Sequence, residues 1–182
     1  MRSVRMLVLV AAVATAASAL AAPAYASKRL VTDCSAGMGV HIATTSTYRM
    51  ALHVGMPEMM YTPAQVRKLH PKSGEVMLRG KMMMGMKMGG STRHLEVHIC
   101  LRHNRAVVTN AHPTITLMGH KAHAMPMNVP VAVMEGIGAG TAELHHGNNV
   151  PMAAGHRFTV TVTLKGQKAV FNVTSPKPMA MK

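Results

Sequence analysis

Apolar and polar residues alternate with a period of two along much of the chain. The alternation is clear over 48–54, 95–101, 115–117, 131–133 and 158–164. It is typical of strands that place one face in a core and the other toward solvent. Glycine and proline residues separate these segments, and helical periodicity is rare. The pattern therefore predicts an all-β fold, an immunoglobulin-like antiparallel β-sandwich of seven to eight strands with one short helix.

The last two predicted strands form a hairpin. If Gly166 and Gln167 make its two-residue turn, Leu164 lies opposite Ala169, and the pairs that follow are also apolar. Directly opposed residues lie on the same face of a sheet, so both strands offer an apolar face to one core.

The one predicted helix covers 63–70. The sequence TPAQ at 62–65 is a capping-box pattern with proline at the first helical position. Pro71 stops the helix after about two turns.

The N-terminus has the layout of a secretory signal peptide. Arg2 and Arg5 precede an apolar run, and the small-x-small sequence AYA at 24–26 fits a cleavage site. The run is short and rich in alanine for a membrane span, which favours cleavage over a retained anchor. We therefore predict a periplasmic or secreted protein with a signal peptide over 1–26, a single domain over 27–174 and a disordered tail over 175–182.

The formal charge of +14 makes nucleic acid a partner to consider. The 20 lysines and arginines are scattered, however, and only three tyrosines and two phenylalanines are available for base stacking. No nucleic-acid motif is present. The chain has only six acidic residues and contains neither a nucleophile elbow nor a phosphate loop. We therefore predict no nucleic-acid binding, no organic substrate and no enzymatic activity.

Cys34 and Cys100 are the two cysteines of the chain. In an oxidising compartment two such residues are expected to form a disulfide. Closing this long loop stabilises the fold by about 4 kcal/mol in the chain-entropy model. A blue-copper site is the rival interpretation, but Met118 lies too far beyond Cys100 and His103 to complete that pattern.

Methionine and histidine concentrate in three segments. The first, KMMMGMKMGGSTRHLEVHIC at 81–100, contains His94, Glu96 and His98 on one face of a predicted strand. The others are GHKAHAMPM at 119–127 and LHHGNN at 144–149. Thioether and imidazole groups suit copper in either oxidation state and also ferrous iron. We therefore predict an exported metal-binding protein, with copper as the first choice of cofactor and ferrous iron as the second.

The pairing of the methionine-rich strand decides between two interpretations. The segment 75–88 is predicted to form a hairpin with 93–101. With a four-residue loop, Met86 and Met88 face the apolar side of the partner strand and fill the core. With a five-residue loop they face Glu96 and His94, and the sulfurs join a metal site. The polar face that carries His98 is likewise either solvated or ligating, and the sequence leaves both alternatives open.

Three short motifs resemble those of a known family. HLEVHI at 94–99, MPM at 125–127 and HHGNN at 145–149 are similar to signatures of the periplasmic copper-binding β-sandwich proteins that accompany bacterial ferrous-iron permeases. The resemblance implies a homodimer with a metal site of methionine, histidine and carboxylate ligands near the subunit interface. It also implies an inner-membrane metal permease as the partner.

Carried over residue by residue, the resemblance points to Met88, His94 and His145 as ligands, with Glu58 as a looser candidate for the carboxylate. The family pattern HLEADIH is replaced by HLEVHI, so His98 stands where an acidic residue is expected. Met86 and His98 are therefore extra or replacement ligands. The complete predicted set is Glu58, Met86, Met88, His94, His98 and His145.

The predicted function is binding of copper or ferrous iron for iron uptake or metal delivery. Two alternatives stay open. A periplasmic copper chaperone or resistance protein is indicated by His123 and Met125, whose spacing is similar to the end of a chaperone motif. A structural β-sandwich with no metal role is the other, in which the methionines only fill the core.

Overall fold

The computed structural model describes residues 34–35, 39–83, 90–120 and 124–177. This part of the chain contains one α-helix, a 3-10 helix at Gly140–Glu143 and eleven strands. The helix is α1 (Pro63–Leu69), and the strands are β1 (Val40–Thr44), β2 (Tyr48–Gly55), β3 (Met60–Tyr61), β4 (Glu75–Arg79), β5 (Thr92–Leu101), β6 (Thr114–Gly119), β7 (Met127–Val129), β8 (Ala132–Gly136), β9 (His145–Pro151), β10 (Arg157–Leu164) and β11 (Gln167–Thr174). The predicted signal peptide lies outside the described residues.

The strands form two sheets. The larger sheet has the order β1-β2-β5-β9-β8-β4-β3, and the smaller has the order β11-β10-β6-β7. All neighbours are antiparallel except β3 and β4, which pair in parallel. The predicted all-β, sandwich-like fold is confirmed. The described residues hold more strands than the seven to eight predicted, because strands of two or three residues such as β3 and β7 are too short to show a period.

The core lies between the two sheets and is built from the alternating apolar residues. One cluster joins residues of the larger sheet to those of the smaller: Met50, Leu52, Leu95, Val97, Ile99, Ile115, Leu117, Val160, Val162 and Phe171. The opposite face of β5 carries His94 and His98, which are also buried. The interpretation of this second face as solvated is therefore wrong, and its polar groups need partners inside the protein.

The C-terminal hairpin has the predicted face but a different register. Its turn is formed by Lys165 and Gly166, both with positive φ, of 47° and 76°. Val162 therefore pairs with Ala169, two positions away from the predicted pairing. A shift of two leaves every side chain on its expected face, so the apolar residues still enter the core. A two-residue hairpin turn of this kind needs left-handed backbone at both positions, and Lys165 adopts it.

Helix α1 begins and ends where the sequence indicates. The Thr62 hydroxyl accepts a hydrogen bond from the Gln65 amide at 3.2 Å, and the Gln65 side chain accepts one from the Thr62 amide at 2.8 Å. His70 ends the helix in the left-handed conformation, immediately before Pro71. The predicted capping box is confirmed.

The predicted hairpin between 75–88 and 93–101 is wrong. Strand β4 pairs with β8 and β3, whereas β5 lies between β2 and β9. The chain leaves β4 at Gly80, which has φ of 92°, and a side chain there would collide with the Val131 carbonyl. Met83 then packs against the main core cluster. Met86 and Met88 lie outside the described residues.

The disulfide between Cys34 and Cys100 is present as predicted, with 66 residues separating the two cysteines in sequence. It ties the start of the described chain to β5. A structural disulfide is typical of an oxidising, exported environment. None of the helices in the described segments is long and apolar enough to cross a membrane.

The predicted tail boundary at residue 175 is too early. Ser175 is buried, and its hydroxyl donates to the Met152 carbonyl at 3.1 Å. Arg93, which is fully buried, donates two side-chain hydrogen bonds to the Pro176 carbonyl. These contacts hold the first two residues of the predicted tail against the folded domain.

Candidate metal centre

Three strands contribute one polar side chain each to a buried cluster. Glu75 opens β4, His94 lies in β5, and His145 opens β9. One ligand atom from each lies within 4.8 Å of the other two. The side chains converge although β8 and β9 separate β4 from β5 in the larger sheet. The three side chains are 7%, 0% and 2% exposed respectively.

Hydrogen bonds orient both imidazoles in the same way. His94 Nδ1 lies 3.0 Å from Asn149 Oδ1, and His145 Nδ1 lies 2.8 Å from the Glu143 carbonyl. Both partners are acceptors, so each Nδ1 carries the proton and each Nε2 keeps a free lone pair. This arrangement of an oxygen acceptor behind the ring is the one found for histidines that bind metals through Nε2.

The inward-facing atoms of the cluster lack hydrogen-bond partners. His94 Nε2, His145 Nε2 and Glu75 Oε2 are all buried, and none makes a hydrogen bond to another described residue. The nearest approach is 3.7 Å between His145 Nε2 and Glu75 Oε2. Leaving a buried polar atom without a partner costs about 1–3 kcal/mol. Three such atoms that face one point indicate a site for a cation.

His98 and Glu96 form a second layer beside the cluster. The His98 ring centroid lies 5.4 Å from that of His145, and His98 Nε2 lies 3.7 Å from Glu96 Oε2. The other oxygen of Glu96 lies 3.4 Å from His53 Nδ1. Burial alone would raise the pKa of Glu96, but hydrogen bonds to His53 and His98 and the nearby imidazoles hold it well below its usual range. Glu96 is therefore a carboxylate that can balance added positive charge.

The cluster concentrates acidic residues in a cationic protein. Burial, and then the charges of Glu58, Glu96 and Glu143, raise the pKa of Glu75 to about 8. Four of the six acidic residues of a chain with a formal charge of +14 thus interact at this one place. Without an ion, Glu75 keeps a proton at neutral pH, and a bound cation would displace that proton.

His145 is held in its neutral form. Burial is the largest cause, and the neighbouring His98 and His94 add to it, so the pKa of His145 falls to about 3 despite the opposing charge of Glu96. A histidine has to be unprotonated at one nitrogen to bind a metal. His145 therefore meets this condition throughout the physiological pH range.

The structure brings several of the sequence-predicted ligands together. His94 and His145 belong to the cluster, and His98 adjoins it, although its ligand atom is outside the three-residue group. Glu58 lies near the cluster, where it is one of the groups that raise the pKa of Glu75. Met86 and Met88 lie outside the described residues, so their assignment as ligands stays a prediction.

Glu75 is the candidate ligand that sequence reasoning missed. The sequence places it at the start of a strand, and the family resemblance gives the carboxylate role to Glu58 instead. The scarcity of acidic residues is the one signal that favours Glu75, because a carboxylate directly before the apolar residues 76–78 is expensive to bury unless it is used. Asn149, which orients His94, was also missed although it lies in the HHGNN motif.

Comparison with known proteins adds little to this geometry. No family model matches the chain, and no curated protein matches it significantly. Among solved structures, a DUF4426 family protein from Pseudomonas aeruginosa PAO1 aligns with 78% of this chain and 99% of its own length, at 12% identity and a TM-score of 0.49. The resemblance to the periplasmic copper-binding family stays a prediction.

Proposed function

We propose that the protein is an exported carrier that binds one transition-metal ion, copper or ferrous iron, at Glu75, His94 and His145. The three buried ligand atoms without hydrogen-bond partners carry this proposal. Binding is reversible coordination, with no chemistry on an organic substrate. Glu58 and His98 lie next to the cluster and are the candidates for further ligands.

The donor set restricts the choice of metal. Two imidazoles and one carboxylate suit ferrous iron, cupric ion and zinc, whereas calcium and magnesium prefer an all-oxygen shell. Cupric ion binds such ligands most tightly in the divalent series. The two imidazoles can also hold cuprous ion, and thioether ligands at Met86 and Met88, which the family resemblance implies, would strengthen its binding. Copper is therefore the preferred cargo, and ferrous iron is the second choice.

A carrier role in the cell envelope agrees with the disulfide, which is typical of exported proteins. Delivery to an inner-membrane permease and assembly as a homodimer belong to the same proposal and follow from the family resemblance. Removal of the proposed signal peptide would release the domain that carries the centre.

The test is metal titration of the metal-free mature protein. Cu(II), Zn(II) and anaerobic Fe(II) are titrated against chelators of known affinity, and the nitrogen hyperfine pattern of bound Cu(II) is recorded. We expect one ion per chain with two nitrogen ligands. The double variant His94→Ala/His145→Ala should lose this uptake.

The matched control is His41→Ala/His103→Ala, because both histidines are exposed and lie outside the cluster. This control should retain full uptake. Failure of the unmodified protein to bind any of the three ions stoichiometrically, or equal loss of binding in both double variants, would reject the proposed function.

A further inference from the structure

Two exposed methionines flank a carboxylate in a surface cleft. Met56 and Met59 are 44% and 52% exposed, and they line a cleft of about 320 Å³ together with Glu58 and Tyr61. Large apolar side chains on the surface are common singly. A pair of thioethers with a carboxylate between them is a different case, because it is a ligand set for a soft cation.

Glu58 links this cleft to the buried centre. Its backbone amide donates to Asn149 Oδ1 at 3.1 Å, and its carbonyl accepts from Asn149 Nδ2 at 2.8 Å. The same Asn149 Oδ1 accepts the His94 Nδ1 proton at 3.0 Å. The Glu58 carboxyl group is also close enough to Glu75 to raise its pKa. One residue of the loop at 55–60 therefore contacts two elements of the centre.

The residues on either side of Glu58 connect the cleft to the same elements. The Met59 carbonyl accepts a hydrogen bond from the Glu75 amide at 2.8 Å. A side chain at Gly74, whose φ is 104°, would approach that carbonyl to 2.6 Å, so glycine is needed for this close contact. Met60 is buried, and its sulfur lies 3.7 Å from Asn149 Nδ2. The loop thus has exposed sulfurs outside and a ligand-bearing strand directly behind it.

We propose that Met56, Glu58 and Met59 form a capture site for cuprous ion, from which the ion passes to the buried centre. The transfer part of this proposal rests on the proposed function of that centre. Thioethers exchange soft ions readily and stay usable where thiols oxidise, and Glu58 supplies local negative charge in a cationic protein. No change of oxidation state is required, since the ion moves from one ligand set to the next.

The test combines two measurements on the mature protein. Methionine methyl groups labelled with carbon-13 are followed by NMR during titration with Ag(I), a redox-inert substitute for cuprous ion. The Met56 and Met59 resonances, assigned from single leucine variants, should shift together and saturate with one equivalent. In the second measurement, Cu(I) is supplied anaerobically as its bicinchoninate complex. Met56→Leu/Met59→Leu should slow transfer to the protein by about tenfold.

Leucine keeps the apolar volume and removes only the sulfur, so the variant should fold normally. Its equilibrium affinity for Cu(II) should equal that of the unmodified chain, because the buried ligands are intact. The matched control is Met118→Leu, since Met118 is exposed and lies on β6 of the smaller sheet. This control should leave the transfer rate unchanged.

The outcomes separate the two proposals. Intact Cu(II) binding with an unchanged Cu(I) transfer rate in Met56→Leu/Met59→Leu would overturn the capture site alone. Equal slowing in the control variant would also overturn it, because it would show a general effect of surface sulfur. Absence of Cu(II) binding in the unmodified chain would instead reject the buried centre. Persistence of the Met56 and Met59 shifts in His94→Ala/His145→Ala would support capture at the loop itself.

Discussion

Replacement of Asn149 by alanine tests whether the hydrogen bond behind His94 serves metal binding. The Asn149 side chain accepts the His94 Nδ1 proton and bonds both backbone groups of Glu58. Asn148 offers a matched comparison, because it is also buried and its side chain bonds the backbone of Met83, Lys81, Pro130 and Asn149. Only Asn149 contacts a candidate ligand.

The expected magnitudes follow from these contacts. Asn148→Ala removes four hydrogen bonds, and Asn149→Ala removes three and a contact to the Met60 sulfur. At roughly 1 kcal/mol each, both variants should lose about 3–4 kcal/mol of unfolding free energy. Removing the oxygen acceptor behind a ligating histidine typically lowers metal affinity about 10–100-fold. We therefore expect Asn149→Ala to bind Cu(II) that much more weakly and Asn148→Ala to bind it normally.

The assay measures both quantities in the same buffer. Urea unfolding of the metal-free variants gives the stability, and chelator competition with Cu(II) gives the affinity. We expect both variants to lose a similar amount of stability, and only Asn149→Ala to lose affinity for Cu(II). Equal Cu(II) affinities in the two variants would refute the reasoning, since they would show that the tautomer of His94 does not depend on Asn149.

Three further predictions concern the metal-free protein and its disulfide. Because the folded-state pKa of Glu75 is raised from 4.5 to about 8, its contribution to stability is fully present below pH 4.5 and is lost as the pH rises toward 8. In urea unfolding, the stability of Glu75→Gln relative to the unmodified chain should therefore increase as the pH rises from 4.5 to 8. A stability difference that does not depend on pH would contradict this. The variant should also no longer bind Cu(II). Burial lowers the pKa of His146 from 6.5 to about 4, so the stability it contributes is present above pH 6.5 and is lost as the pH falls toward 4. His146→Gln should flatten this acid limb of the unfolding curve, and an unchanged limb would show that other groups cause it. Cys34→Ser/Cys100→Ser should lower the unfolding free energy by about 4 kcal/mol, because the disulfide closes a long loop. In calorimetry, the melting temperature of this variant should match that of the reduced parent protein and lie below that of the oxidised parent protein.

Strand positions were predictable because burial imposes a period on each segment. The faces of β2, β5 and β10 follow directly from alternation, and the helix follows from its capping box. Strand partners were not predictable in the same way. Alternation with a period of two shows which face of a strand is buried, but not which strand lies beside it. The sequence therefore predicts that β4 pairs with β5, whereas in the structure β4 pairs with β8.

Only part of the candidate centre could be predicted from the sequence, again because the sequence does not show how the strands are arranged. His94 and His145 lie in recognisable motifs on adjacent strands, but the pairing of β5 with β9 sets His94 opposite Asn149, four residues away from His145. Their side chains therefore converge from different positions along the two strands. Glu75 comes from β4, which β8 and β9 separate from β5, and no local pattern near Glu75 indicates that it reaches the same point.

The charge distribution explains why ligands in the loop at 55–60 would be important for cation binding. A protein with a formal charge of +14 repels small cations at a distance, and this repulsion is screened beyond about 8 Å at physiological ionic strength. Glu58, Glu96 and Glu143 place acidic groups around Glu75, against this overall charge. An ion therefore gains little from long-range steering and depends on short-range ligands at the surface. Met56 lies two residues before Glu58 and Met59 one residue after it, so the proposed capture site is adjacent to the proposed metal centre.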